Sequence, residues 1–99
     1  MTKGGDVYIM TNKTHSVLYI GVTANLAARV YDHKSKTYPQ SFTARYNCNK
    51  LVYYNSFSTI DEAISAEKFL KGKVRQYKID LINEINPQWL DLYDDLFGE

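Results

Sequence analysis

Two short apolar runs standing close together constrain this chain more than any other feature. Val7, Tyr8, Ile9 and Met10 form the first, residues 17–22 form the second, and the polar residues 11–16 separate them. Runs of that length joined by so short a connection pair antiparallel, as a hairpin. The loop is longer than a tight two-residue turn, so turn type does not set the register. Gly21, inside the second run, gives up strand propensity for space, which predicts a bulge or a close backbone approach there.

The rest of the chain supplies helices and one more strand. Thr23 is expected to cap a helix starting near Asn25. Leu26 and Val30, four apart, share its buried face; Arg29 and His33, also four apart, share another. The sequence turns polar over residues 34–37 and meets Pro39, where the helix should end. Residues 38–50 read as a long loop, with a short helix around 41–46 as the alternative. Residues 51–57 are apolar or aromatic except for Asn55 and Ser56 and make a third strand. Thr59-Ile60-Asp61-Glu62 is a capping box, opening a helix whose apolar stripe is Ala63, Ala66 and Leu70, widened by Ile64. Gly72 breaks it. A further helix over about 74–84 buries Ile79 and Ile82, with Ile85 at the end of the same stripe, and Pro87 stops it. Trp89 should anchor a tail that packs back through its other apolar residues. The order β-β-α-β-α-α gives an α+β fold, a small three-stranded antiparallel sheet flanked by helices. The 99 residues are expected to form a single domain, with a core over about 5–92 and a short acidic tail.

Charge divides the chain. Residues 1–83 hold 12 Lys+Arg and 6 Asp+Glu, a net of +6; residues 84–99 hold none and 5, a net of −5, which sums to the overall +1. A basic body attracts polyanions, and an acidic tail can fold back on it. Nine tyrosines add stacking rings with hydroxyls, which suit bases and phosphates. No apolar stretch approaches the ~18 residues of a membrane span, and no signal peptide is expected at the start. The single Cys48 excludes an internal disulfide and a Cys-based zinc site, and a reducing cytoplasm is the expected compartment.

Five polar residues sit on apolar elements: Tyr8 and Tyr19 on neighbouring strands, Arg29 and His33 along one helix face, and Glu67 within an apolar helix stripe. Taken singly, each has an ordinary reading as packing, solvated surface or boundary residue. Together they describe a chemistry. One carboxylate can hold a hard divalent ion that keeps most of its waters. A guanidinium can neutralise charge developing on a phosphoryl oxygen. A phenol can accept or relay a proton from attacking water.

Asp6-Val7-Tyr8 followed by Tyr19-Ile20-Gly21 resembles the paired signature of the GIY-YIG nuclease superfamily. The continuation from Gly21 to Val30, with Arg29 in it, followed by His33, resembles that family's next block. Glu67 matches its metal-binding glutamate. Residues 67–72, Arg75, Lys78 and the later Asn86-Pro87-Gln88-Trp89 resemble its small, single-domain bacterial branch. The resemblance implies a metal-dependent DNA endonuclease that uses one Mg²⁺ or Mn²⁺. It implies Tyr19 as general base or proton relay, Arg29 as transition-state stabiliser, Glu67 as metal ligand, Tyr8 positioning water or phosphate, and His33 binding the scissile phosphate. Gly21 would let its strand approach the next helix closely. Two positions depart from the pattern: Asp6 replaces the first glycine, and Asn55 stands where the bacterial branch commonly has a glutamate. Larger members also have a supporting asparagine, for which Asn83 and Asn86 are both candidates here.

The expected partner is DNA, held mainly through phosphates by Lys68, Lys71, Lys73, Arg75 and Lys78, with Lys34 and Lys36 near the Arg29 helix. The alternatives are a non-catalytic nucleic-acid-binding module that keeps the scaffold, and a protein-interaction domain using Trp89 and the aromatic tail.

Overall fold

The computed structural model describes residues 4–98; Met1, Thr2, Lys3 and Glu99, the ends of the expected domain and the last acid of its tail, lie outside them. The chain runs β1 (Gly5–Thr11), β2 (Leu18–Thr23), α1 (Leu26–Ser35), α2 (Phe42–Arg45), β3 (Lys50–Phe57), α3 (Ile60–Lys71), α4 (Arg75–Ile85) and α5 (Leu92–Phe97). This is the expected order with two short helices added, α2 and α5.

The sheet is antiparallel, in the order β2-β1-β3. The central strand is buried on both faces, which explains why its apolar run is nearly continuous. Its register with β2 sets Tyr8 opposite Gly21 and Met10 opposite Tyr19. Because side chains alternate with period two, Tyr8, Met10, Tyr19 and Gly21 share one face. Val7, Ile9, Leu18, Ile20 and Val22 take the other.

A bulge lies across β1 and β3, between Ile9 and Met10: Met10 pairs with Leu51 and Ile9 with Tyr53, so Val52 is the extra residue. It lets Val52 and Tyr53 both pack on the Val7–Ile9 face. Nothing in the composition of 51–57 announces it; the bulge expected as one possibility at Gly21 does not occur, since the β1–β2 register runs unbroken there.

Each face has its own cover. Ala63 and Leu70 of α3 and Ile82 of α4 bury Val7, Ile9, Ile20 and Val52. Leu26 and Val30 of α1, with Cys48, Leu51 and the partly buried Leu92 and Tyr93 of α5, cover Tyr8 and Met10. Helices α1, α2, α3 and α5 start at a side-chain cap and α4 at Val74 without one, and one expected cap needs correction. Asn25, not Thr23, is the N-cap of α1, its side chain accepting from Ala28 N at 3.2 Å. Thr23 acts one step earlier, accepting from Asn25 N at 3.0 Å. The capping box at α3 is half formed: Thr59 Oγ1 accepts from Glu62 N at 3.1 Å, while the Glu62 carboxylate takes the threonine hydroxyl proton. On α4, Ile82 is fully buried but Ile85 is 54% exposed, because it falls off the stripe that meets the sheet.

The tail packs back through Trp89, Leu92 and Tyr93, whereas Leu90, Leu96 and Phe97 stay exposed. Trp89 stacks on His15 with ring centroids 4.7 Å apart and donates from Nε1 to Asn83 Oδ1 at 2.7 Å. Asn86, buried, donates to Val52 O and Leu90 O and accepts from Leu90 N. Asp91 caps α5, accepts from Leu51 N and pairs with Lys34 of α1.

Candidate active site

The hairpin register places Tyr8 and Tyr19 diagonally on one face, with ring centroids 6.3 Å apart. Gly21 makes this possible. The Cβ of any other residue there would lie 2.4 Å from both the hydroxyl oxygen and Cζ of Tyr8. Its function is therefore to give room to the Tyr8 ring across the strand pair, rather than to let the next helix approach.

His33, 4% exposed, lies beneath the tyrosines, one turn of α1 beyond Arg29. Its ring centroid is 5.7 Å from Tyr8 and 5.4 Å from Tyr19. Its Nε2 is 2.8 Å from the Tyr8 hydroxyl, and its Nδ1 is 2.7 Å from Oγ1 of Thr43, itself buried. Both ring nitrogens are thus engaged, which leaves neither directed at a scissile phosphate. Burial, reinforced by the Arg29 charge and opposed by Asp32, lowers the His33 pKa from 6.5 to about 4, so the ring is neutral at pH 7. Burial also pushes the Tyr8 phenol well above its ordinary value, with Tyr19 adding to the effect and the neighbouring Arg29 guanidinium opposing it. Tyr8 is accordingly a protonated hydrogen-bonding group at neutral pH. Tyr19 is the more open of the two, and Phe42 of α2 stacks against it at 5.9 Å. Arg29 is partly exposed and lies over the Tyr38 ring at 5.7 Å.

Tyr8, Tyr19, Arg29 and His33 therefore converge. Glu67 comes from α3, which packs along β1 and the edge strand β2, and its carboxylate pairs with Lys71 at 2.9 Å. Among the described residues no three His, Cys, Asp or Glu side chains converge to hold a metal. A single, largely buried carboxylate fits an ion that keeps most of its water ligands and does not fit a closed protein cage.

The remaining candidates divide by face. Lys34 is bound to Asp91 and to Asn49 O, and Lys36 Nζ donates to Asn47 Oδ1, both at the end of α1. Lys68, Lys71, Lys73, Arg75 and Lys78 belong to α3, α4 and the turn between them, over the other face. There Lys73 lies 4.6 Å from the Phe69 ring centroid and Arg75 donates to His15 O. Asn83 and Asn86 hold the tail and do not reach the tyrosines; Asn55 lies on the α3–α4 face, away from Tyr8.

Sequence reasoning did not single out Thr43 and Phe42, which grip His33 and Tyr19. The signal was Ser41, a good N-cap residue inside an otherwise overlong loop.

Two tyrosines on one face of a three-stranded antiparallel sheet, met by an arginine and a histidine of the covering helix α1, are the arrangement to which the family match applies. The pattern described as the GIY-YIG catalytic domain matches residues 5–80, and the chain belongs to the GIY-YIG family. It is 36% identical over 66 residues to a UPF0213 protein of Streptococcus pneumoniae serotype 4, a match spanning 67% of this chain and 66% of that one. A UPF0213 protein of Staphylococcus haemolyticus is 36% identical over 78 residues, spanning 79% of this chain and 93% of its own. The solution NMR structure of a UPF0213 protein from Bacillus halodurans shares the fold, with a TM-score of 0.56, 24% identity, and coverage of 92% of this chain and 95% of that one. No helix among the described residues is long and apolar enough to cross a membrane.

Proposed function

We propose that this protein is a DNA endonuclease that hydrolyses phosphodiester bonds in nicked, branched or damaged DNA, with one Mg²⁺ or Mn²⁺ as cofactor. The convergence of Tyr8, Tyr19 and Arg29 on one face, within the region matching the family's catalytic domain, carries this reading. The Arg29 guanidinium meets negative charge growing on a phosphoryl oxygen. The Tyr19 hydroxyl, the more open phenol, takes or relays the proton of the attacking water as the phosphorus–oxygen bond to the leaving group breaks. Tyr8, kept protonated and hydrogen-bonded to His33, orients water or phosphate beside it. Glu67 would hold the divalent ion, which when bound would supply further positive charge to the phosphate. Lys68, Lys71, Lys73, Arg75 and Lys78 would bind duplex phosphates without reading sequence. The compartment consistent with the lone cysteine is the cytoplasm.

A second reading, a non-catalytic nucleic-acid-binding module, draws on one observation: Glu67 is paired with Lys71. One experiment decides between them. Wild type, Glu67→Gln and Arg29→Ala are assayed on single-stranded, duplex and branched DNA with Mg²⁺, Mn²⁺ or chelator. The nuclease reading expects metal-dependent cleavage that falls by about 10²–10³ in kcat in either variant. Equal cleavage by all three proteins would place the chemistry elsewhere. Binding without cleavage on every substrate would select the module.

A further inference from the structure

We infer that Thr43 is a positioning residue of this site, holding His33 in the tautomer protonated at Nδ1 so that its Nε2 lone pair accepts the Tyr8 hydroxyl proton. The kinetic consequence rests on the nuclease reading; the tautomer does not.

The direction of the chain follows from relative acidity. A phenol is a stronger acid than a neutral imidazole N–H, and an imidazole nitrogen is a stronger base than a phenol oxygen. The Tyr8 proton therefore lies in the 2.8 Å contact with His33 Nε2, in preference to the oxygen of the neighbouring Tyr19. A neutral imidazole has one N–H, and with Nε2 accepting it stands on Nδ1. Thr43 Oγ1, 2.7 Å from Nδ1, is the acceptor. The threonine proton turns outward, toward Ser41 Oγ at 3.3 Å.

Thr43 is itself held. It is 2% exposed, which leaves no room for water to take its place. Ser41 caps α2 by accepting from Ala44 N, and Cys48 N donates to Thr43 O at 2.9 Å, fixing the backbone on both sides. Thr43 reaches the tyrosines only through the imidazole, so it tunes the hydrogen-bond direction at Tyr8 without meeting a substrate. It also gives α2 a purpose that a plain connection from α1 to β3 would not need.

The test reads the ring nitrogens directly. Long-range proton–nitrogen NMR correlations of His33 are recorded on the intact, nitrogen-15-labelled protein at pH 7, for wild type, Thr43→Ser and Thr43→Val. Wild type and Thr43→Ser should show a protonated Nδ1 and a bare Nε2. Thr43→Val, lacking the acceptor, should move the proton to Nε2 or populate both forms. In cleavage assays Thr43→Val should lower kcat about tenfold with KM within about twofold, and Thr43→Ser should restore it. Wild-type His33 protonated at Nε2 overturns the inference even if Thr43→Val fails to fold. So does a folded Thr43→Val with the wild-type tautomer. The expected tautomers without cleavage by wild type would uphold Thr43 and overturn the nuclease reading instead.

Discussion

The two faces of the sheet are built from the same strand and solve different problems. Val7 and Ile9 of β1 meet an apolar cover, in which Ala63, Leu70 and Ile82 contribute no polar side-chain atom. Tyr8 and Met10, the intervening residues, meet a cover that buries an imidazole and a threonine hydroxyl as well. Among the described residues no buried side-chain nitrogen or oxygen lacks a partner. Apolar packing is non-directional and absorbs small changes of shape. A buried polar chain is directional, and each member has one acceptable partner. The site sits on the face that has the less tolerant design.

Single-methyl changes test that contrast. Adding one methyl on the polar face, Gly21→Ala, forces the Tyr8 ring away and should destabilise by about 3 kcal/mol. Removing one from the apolar face, Ile82→Val, should lower stability by only about 1 kcal/mol. Denaturant unfolding measures both; equal losses would remove the distinction.

Acid should act on the polar face through His33, and also at His15, where burial and Lys50 hold the ring's pKa below its ordinary value. Unfolded His33 binds a proton near pH 6.5, but folded His33 resists it until about pH 4, with Arg29 and Asp32 the charges nearest it. Stability is therefore complete above pH 7 and falls by about 1–3 kcal/mol as pH drops through this window. Unfolding at stepped pH should show the slope in wild type and a shallower one in His33→Gln. Tyr8 shifts the opposite way and predicts a second decline above about pH 10, where the unfolded phenol ionises first.

The smallest effect belongs to the tail. Lys34 and Asp91 pair at roughly a quarter exposure each, so a double-mutant cycle should return a coupling of about 0.2–1 kcal/mol that weakens in high salt.

Much of this was legible where chemistry is local. The strand alternation, the threonine at the start of α3 and the four-residue spacing of Leu26 and Val30 depend on neighbours in sequence, and they appear as expected. The placement of Tyr8 and Tyr19 on neighbouring strands was legible as well, whereas their shared face follows from the register. What escaped depends on partners far along the chain. The bulge at Val52 arises only when β3 meets β1. Thr43 matters only because α1 delivers His33 above it. The purpose of Gly21 was legible as a need for space, but the occupant of that space was not, because the Tyr8 ring arrives from another strand. Glu67 and Lys71 both matched the motif, but their ion pair one turn apart was not read from it.

The strand order has a kinetic side. β1 lies between β2, its neighbour in sequence, and β3, whose ladder joins Gly5 to Phe57. The hairpin closes a short loop, on a timescale of about 1–10 μs for such elements. The second ladder must gather the chain of both α1 and α2 before any of its bonds reward the lost freedom. Tyr8 and Tyr19 can thus meet early, but the strand that completes the sheet comes late. Amide protons on the β3 side of β1 should accordingly gain protection after those on the β2 side, and the last part of the site to set is the cover over its tyrosines.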